Sequence, residues 1–190
     1  MNTKIITAGV DEVGRGCLAG PVISAAVILK EGINLRLLKD SKKIAFKRRI
    51  EIARHIKLNS IYAVGIASVN EILKINILQA ALLSMKRAID QLPVKPELVL
   101  IDGNFAPQGL KNYRTIINGD DKVKSISAAS IIAKTYRDEL MIKLSEKFKN
   151  YAWERNFGYG TKAHLEGLKK FGITSHHRKS FKPIHKMLSS

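Results

Sequence analysis

Apolar residues fall in two rhythms along this chain, and the switches between them mark out its elements. Ile5 to Val10 and Val22 to Leu29 are short, β-branched apolar runs on either side of a turn holding Gly14, Gly16 and Gly20. Runs of that kind, bounded by glycine, predict two neighbouring strands. From Ile44 to Ile56 the apolar positions recur at helical spacing with basic residues between them, and Ile61 to Ala67 returns to a strand pattern. Ser68 and Glu71 form a capping box for a long helix running to about Leu92, just before Pro93. Leu98 to Ile101 reads as a buried strand ending at Asp102-Gly103, and Tyr113 to Ile117 as another.

Ser125 to about Lys149 carries the strongest helical pattern. Ile126, Ala129, Ala133, Leu140 and Leu144 fall near one face, with Ser127, Lys134 and Asp138 on another. Thr161 caps a further helix that ends before Gly172. The basic stretch from Ser175 to Ser190 is expected to lie on the surface. Strands come first and helices alternate with them later, so the expected class is α/β, a central mixed β-sheet flanked by helices. No repeat, low-complexity tract or Pro/Ser-rich linker divides the chain, and residues 1–190 are expected to form one domain with a C-terminal appendage.

Composition narrows the function. A hydrophobic share of 45% excludes a disordered chain, and 190 residues suffice for one buried core. The net charge of +17, from 33 Lys and Arg against 16 acidic residues, calls for a polyanionic partner. Nucleic acid is the expected partner and a membrane is not, because no apolar run is long enough to span a bilayer. Cys17 is the single cysteine, which excludes a disulfide framework and a cysteine zinc site, and nothing marks it as reactive. Met1 to Thr7 lacks the pattern of a signal peptide, so a cytoplasmic protein is expected.

Against this basic background a few acids stand out by position. Asp11 and Glu12 follow the first apolar strand and run into Gly14-Arg15-Gly16, while Asp102 ends the strand Leu98 to Ile101. Carboxylates at the ends of adjacent buried strands converge on one sheet edge, where ligands bind. Asp138 joins them if its helix crosses that edge. Neighbouring strand residues point to opposite faces, so Asp11 and Glu12 share a site only if the chain bends there. Oxygen donors without cysteine favour a hard cation, Mg²⁺ or Mn²⁺, and an acidic pocket in a basic protein suits phosphodiester hydrolysis. Two glycines flanking Arg15 let the main chain approach a ligand closely.

Other residues have plainer readings. Lys42, Lys43, Lys47, Arg48 and Arg49 form a basic cluster that either contacts phosphate or is a solvated helix face. Lys134 either touches phosphate or balances nearby carboxylates, and the second reading is the expected one. His164, His176 and His177 are expected at the surface or facing phosphate rather than binding zinc. Trp153 and Tyr136 are expected in the core.

Several segments together resemble the ribonuclease HII family, the type 2 ribonucleases H, over almost the whole chain. They are Gly9-Val10-Asp11-Glu12-Val13-Gly14-Arg15-Gly16, Leu18-Ala19-Gly20-Pro21-Val22, Asp40-Ser41-Lys42-Lys43, Ile101-Asp102-Gly103, and Gly119-Asp120 with Lys122. Ser127-Ala128-Ala129-Ser130-Ile131-Ile132-Ala133-Lys134 leads into Arg137-Asp138, followed by Gly158-Tyr159-Gly160-Thr161 and His177-Arg178-Lys179-Ser180-Phe181. The resemblance implies an RNase H-like fold with a small helical C-terminal extension. It implies Asp11, Glu12, Asp102 and Asp138 as the catalytic, metal-binding set. It assigns Gly14, Arg15 and Gly16 to the 2′-hydroxyl and flanking phosphate of a ribonucleotide, Lys42 to substrate, and Tyr159 to the sugar of the next deoxynucleotide. The implied activity is hydrolysis of RNA in RNA–DNA hybrids and incision of DNA 5′ of an embedded ribonucleotide, by a monomer, leaving 3′-hydroxyl and 5′-phosphate ends. The related ribonuclease HIII usually carries an extra N-terminal domain, whereas here the first motif begins within a dozen residues of Met1. Asn156 and Phe157 precede Gly158 where the family pattern leads one to expect a basic or histidine-containing approach.

Overall fold

The first expected strands pair as a hairpin, β1 (Thr7–Val13) against β2 (Val22–Leu29), and β3 (Ser60–Ala67) adds to it, all antiparallel. On the other side of β1, β4 (Leu98–Asp102) and β5 (Tyr113–Ile116) continue the sheet in parallel. The resulting order is β3-β2-β1-β4-β5, a mixed five-stranded sheet. This computed structural model describes residues 5–33 and 45–189, so Asp40, Ser41, Lys42 and Lys43 lie outside the described residues.

Side chains alternate across the sheet, and each face has its own helix. Ala8, Val10, Ala26, Ile28, Val99 and Ile101 pack against Met85, Ala88 and Ile89 of α2 (Val69–Asp90). The opposite face, with Ala25 and Val27, packs against Ile52 and Ile56 of α1 (Phe46–Leu58) and against Ala128, Ala129 and Ile132 of α4 (Lys124–Lys147). A side chain at Gly9 would run into the backbone of Ser125 and Ile126, so glycine there lets α4 lie directly on β1. That contact sets the distance between the strand ends and the residues further along α4. No helix among the described residues is long and apolar enough to cross a membrane.

One expectation about elements changes and a second is refined. The helix opened by the Ser68–Glu71 capping box is broken at Asn76, whose φ is 65°. Asn76 Oδ1 accepts hydrogen bonds from the backbone N–H groups of Leu78 and Gln79, so it caps a second helical segment. The stretch from Ser175 is largely exposed, as expected of a surface segment, but it is anchored at three points. Arg178 and His177 are buried, His177 bridges to Ala19, and Ile184 of α7 (Lys182–Ser189) is fully buried. Ile184 joins Leu18, Met141, Tyr151, Trp153 and Leu168 in an apolar cluster at the far end of α4, which also takes in the short helix α5 (Trp153–Asn156) and α6 (Lys162–Phe171). Trp153 is core as expected, whereas Tyr136 is partly exposed.

Candidate active site

Val10 and Ile101 are register partners on parallel strands, so Asp11 and Asp102 are the next residues on each. They stand at the carboxyl ends of adjacent strands, about 5 Å apart through the backbone. Asp11 is buried on the α4 face, where Ser130 hydrogen-bonds it. Asp102 Oδ1 accepts the N–H of Gly119 at 2.6 Å, at the start of α3 (Gly119–Lys122). Glu12 pairs with Ser24, and Ser24 Oγ contacts Ser84 of α2 at 2.6 Å, which puts Glu12 on the other face. The ladder runs regularly through Glu12↔Ser24 and Val13↔Ile23. The bend expected at the acid pair comes later, at Gly14, where φ is 93°. Glu12 Oε1 instead accepts a hydrogen bond from Arg15 Nη1 at 3.2 Å.

Charge is concentrated at this edge. Burial raises the proton affinity of Asp11 well above the usual carboxylate range, and the Glu12 and Asp102 charges raise it further. The Ser130 hydrogen bond and the Glu12 N–H, 2.7 Å from Asp11 Oδ1, oppose that rise. Glu12 is raised by burial first; Arg15 works against the shift and the Asp102 charge adds to it. Three carboxylates therefore sense one another here.

Asp138 is fully buried on α4 and engaged by cations. Lys134 Nζ reaches its Oδ1 and Arg49 Nη2 reaches its Oδ2, each at 2.6 Å. Lys134 thus balances a carboxylate, as expected. Phe157 lies 4.7 Å from Lys134 Nζ, and Phe46 lies 5.5 Å from the Arg49 guanidinium. Among the described residues no three His, Cys, Asp or Glu side chains stand ready arranged around a metal position.

The glycine loop after β1 is braced from beneath. Buried Arg137, next to Asp138, donates to the carbonyls of Pro21, Phe157 and Ala19 at 3.1, 2.7 and 2.9 Å. A side chain at Gly14 would collide with that guanidinium, which is why the positive φ and the lack of a Cβ both matter there. Arg178 donates to the carbonyls of Arg15 and Gly20 at 2.8 and 2.9 Å. Arg15 and Gly16 are exposed, and among the described residues, its chain neighbours aside, no atom lies within 4 Å of where a Cβ of Gly16 would stand. Tyr159 is half-exposed and hydrogen-bonded to the buried Cys17 thiol; burial is the main cause of its raised pKa, and it senses the Asp138 charge.

A family profile described as Ribonuclease HII matches residues 8–184, a span that holds all four acids, the glycine loop and Tyr159. The chain belongs to the ribonuclease HII family. It is 60% identical over 185 residues to Ribonuclease HII of Pelagibacter ubique (strain HTCC1062), covering 96% of this chain and 99% of that one. Its structure is similar to the ribonuclease H2 of Pyrococcus horikoshii OT3, with a TM-score of 0.79, 25% identity and coverage of 96% and 97% of the two chains. Bst-RNase HIII, solved in complex with Mn²⁺, shares the fold at a TM-score of 0.73 and 19% identity, over 97% of this chain and 70% of that one. The chain is accordingly an endoribonuclease of the ribonuclease H type, with an RNase H-like fold, acting on RNA–DNA hybrids.

Within this ribonuclease HII the histidines depart from expectation. His164 and His177 are buried, not at the surface facing phosphate. Asn156 is buried as well, donating to the Tyr151 carbonyl at 2.7 Å and accepting the Gly158 N–H at 2.9 Å. Reading by residue type placed Arg49 only in a basic cluster and missed Arg137 and Arg178 as parts of the site. Arg137 adjoins Asp138, Arg178 follows a histidine pair, and both fall in segments that carry the family resemblance.

Proposed function

We propose that this ribonuclease HII is a divalent-metal-dependent endonuclease that also incises a DNA duplex 5′ of an embedded ribonucleotide, leaving 3′-hydroxyl and 5′-phosphate ends. The observation that carries this reading is the pairing of β1 with β4, which lines up Asp11 and Asp102 beside an exposed Arg15-Gly16 turn. Asp11, Asp102 and Asp138 would hold the cation from the α4 face, and Glu12, which leaves β1 on the other face but senses the Asp102 charge, would reach it around the strand end. Buried carboxylates whose proton affinities are raised by one another suit a positive ion, and oxygen donors favour Mg²⁺ or Mn²⁺. When bound, such an ion supplies an activated water and relief of charge on the leaving oxygen.

The chain's own residues do the rest. Ser130 orients Asp11, and the Gly119 N–H orients Asp102. The backbone of Gly14, Arg15 and Gly16 meets the 2′-hydroxyl, the group that distinguishes RNA from DNA at one position. Open space at Gly16 favours an external ligand there, since no neighbour among the described residues demands glycine. Tyr159 packs on the following sugar, and Lys42 contacts the backbone. We take residues 1–190 as one domain acting as a monomer in the cytoplasm, on RNA–DNA hybrids and on DNA duplexes containing ribonucleotides.

The test uses a duplex with one ribonucleotide, Mg²⁺ or Mn²⁺, and mapping of the cut. Asp11→Asn and Asp102→Asn should each abolish cleavage while duplex binding survives on the basic surface. Full metal-dependent cleavage by either variant would overturn the carboxylate assignment.

A further inference from the structure

Behind Tyr159 runs a chain of buried hydrogen bonds that the proposed chemistry leaves unused. The Thr174 N–H donates to His177 Nδ1 at 2.8 Å, so that nitrogen is an acceptor and the His177 proton sits on Nε2. His177 Nε2 lies 3.0 Å from His164 Nε2, which also receives the Trp153 indole N–H at 3.1 Å. His164 Nε2 is therefore an acceptor and its proton sits on Nδ1. That nitrogen lies 2.8 Å from the Tyr159 carbonyl, which can only accept. Each tautomer is fixed by the next, and the relay ends on the main chain of one residue.

That residue needs fixing. Tyr159 stands between Gly158, with φ of 85°, and Gly160, so the chain on either side of it has little intrinsic preference to hold it in place. Its N–H donates to the Asn156 carbonyl at 2.9 Å, and its carbonyl takes both the Thr161 N–H and His164. From this anchored point the side chain is half-exposed with its hydroxyl on the buried Cys17 thiol, while the histidines behind it are buried. We propose that His164, oriented by His177, is a positioning residue that sets Tyr159 for its contact with the sugar, and so governs recognition of a lone ribonucleotide. This rests on the sugar-contact reading of Tyr159. Burial lowers the proton affinity of both histidines, His177 to about 4, which keeps the relay neutral.

Paired substitutions separate the two ends of the ring. His164→Asn keeps a donor near the Nδ1 position, whereas His164→Gln keeps an acceptor near Nε2 and leaves the Tyr159 carbonyl short of a partner. The readout is kcat/KM for lone-ribonucleotide incision divided by that for an all-RNA strand, which a general loss of fold leaves unchanged. His164→Gln should lower the ratio about tenfold, and His164→Asn should stay within roughly threefold of the parent. Tyr159→Ala should lower the ratio at least as far, and adding His164→Gln to it should cause no further fall. If Tyr159→Ala moves the ratio and a folded His164→Gln does not, the positioning role is overturned. If Tyr159→Ala itself leaves the ratio unmoved, the sugar-contact reading falls, and the role built on it falls too. Should His164→Gln fail to fold, His177→Phe gives the same reading through the second histidine: a lowered ratio supports the role, an unchanged ratio overturns it.

Discussion

Arg137 shows how much of the site depends on single buried residues. Its guanidinium is out of contact with solvent and serves three carbonyl oxygens from two loops. Arg137→Met would leave those carbonyls without a donor, at a cost of about 3 kcal/mol or more. Urea unfolding measures it, and a loss below about 1 kcal/mol would show that water replaces the arginine readily. The histidines give a second prediction at this scale. His177 falls from the usual 6.5 to about 4 through burial first and then the neighbouring His164 and His176, and those two are lowered as well, chiefly by burial. Their depressed values mean that the unfolded chain takes up protons first. Stability is thus unaffected by these groups above pH 6.5 and declines as pH drops from 6.5 toward 4. Melting temperatures across that window should fall less steeply for His177→Phe than for the parent. Equal slopes would mean that the folded protein accepts the proton without strain. Lys134 could be read beside Asp138 from its spacing of four, but Arg49 comes from another helix and carried no local sign.

At the scale of elements, the strands and the start of α2 were legible because their causes are local. Continuous β-branched apolar runs mark the strands, and Ser68 with Glu71 closes a capping box seen equally in chain and structure. The break at Asn76 was hidden inside an uninterrupted helical rhythm. Asn76→Ala removes a cap and places a Cβ-bearing residue with no side-chain compensation at positive φ, so it should cost about 2 kcal/mol. Asn76→Gly, which tolerates that φ, should cost less. Chemical denaturation of both variants checks the ordering, and an Ala variant as stable as the Gly one would argue against the break. The anchoring of the C-terminal segment was not legible because its few buried residues meet distant partners. Ile184 meets Leu18, Trp153 and Leu168, none of them near it in sequence.

For the molecule as a whole, charge and topology act together. A net charge of +17 around a small acidic centre predicts duplex affinity that falls steeply with salt. Binding by Asp11→Asn, measured without turnover, should weaken by at least about tenfold between 50 and 200 mM salt. A flat response would mean that contacts other than phosphate dominate. The carboxylate pair was visible as two strand ends, but their adjacency depends on strand order, which no local pattern encodes. It arises because β4, after a long excursion through β2, β3 and α2, returns to lie beside β1. A segment reaching only as far as α2 holds Asp11 and Glu12 on a three-stranded antiparallel meander, without Asp102 beside them. On the proposed carboxylate set, the two halves of the metal site come from opposite ends of that excursion, so the pair exists only once β4 has docked on β1.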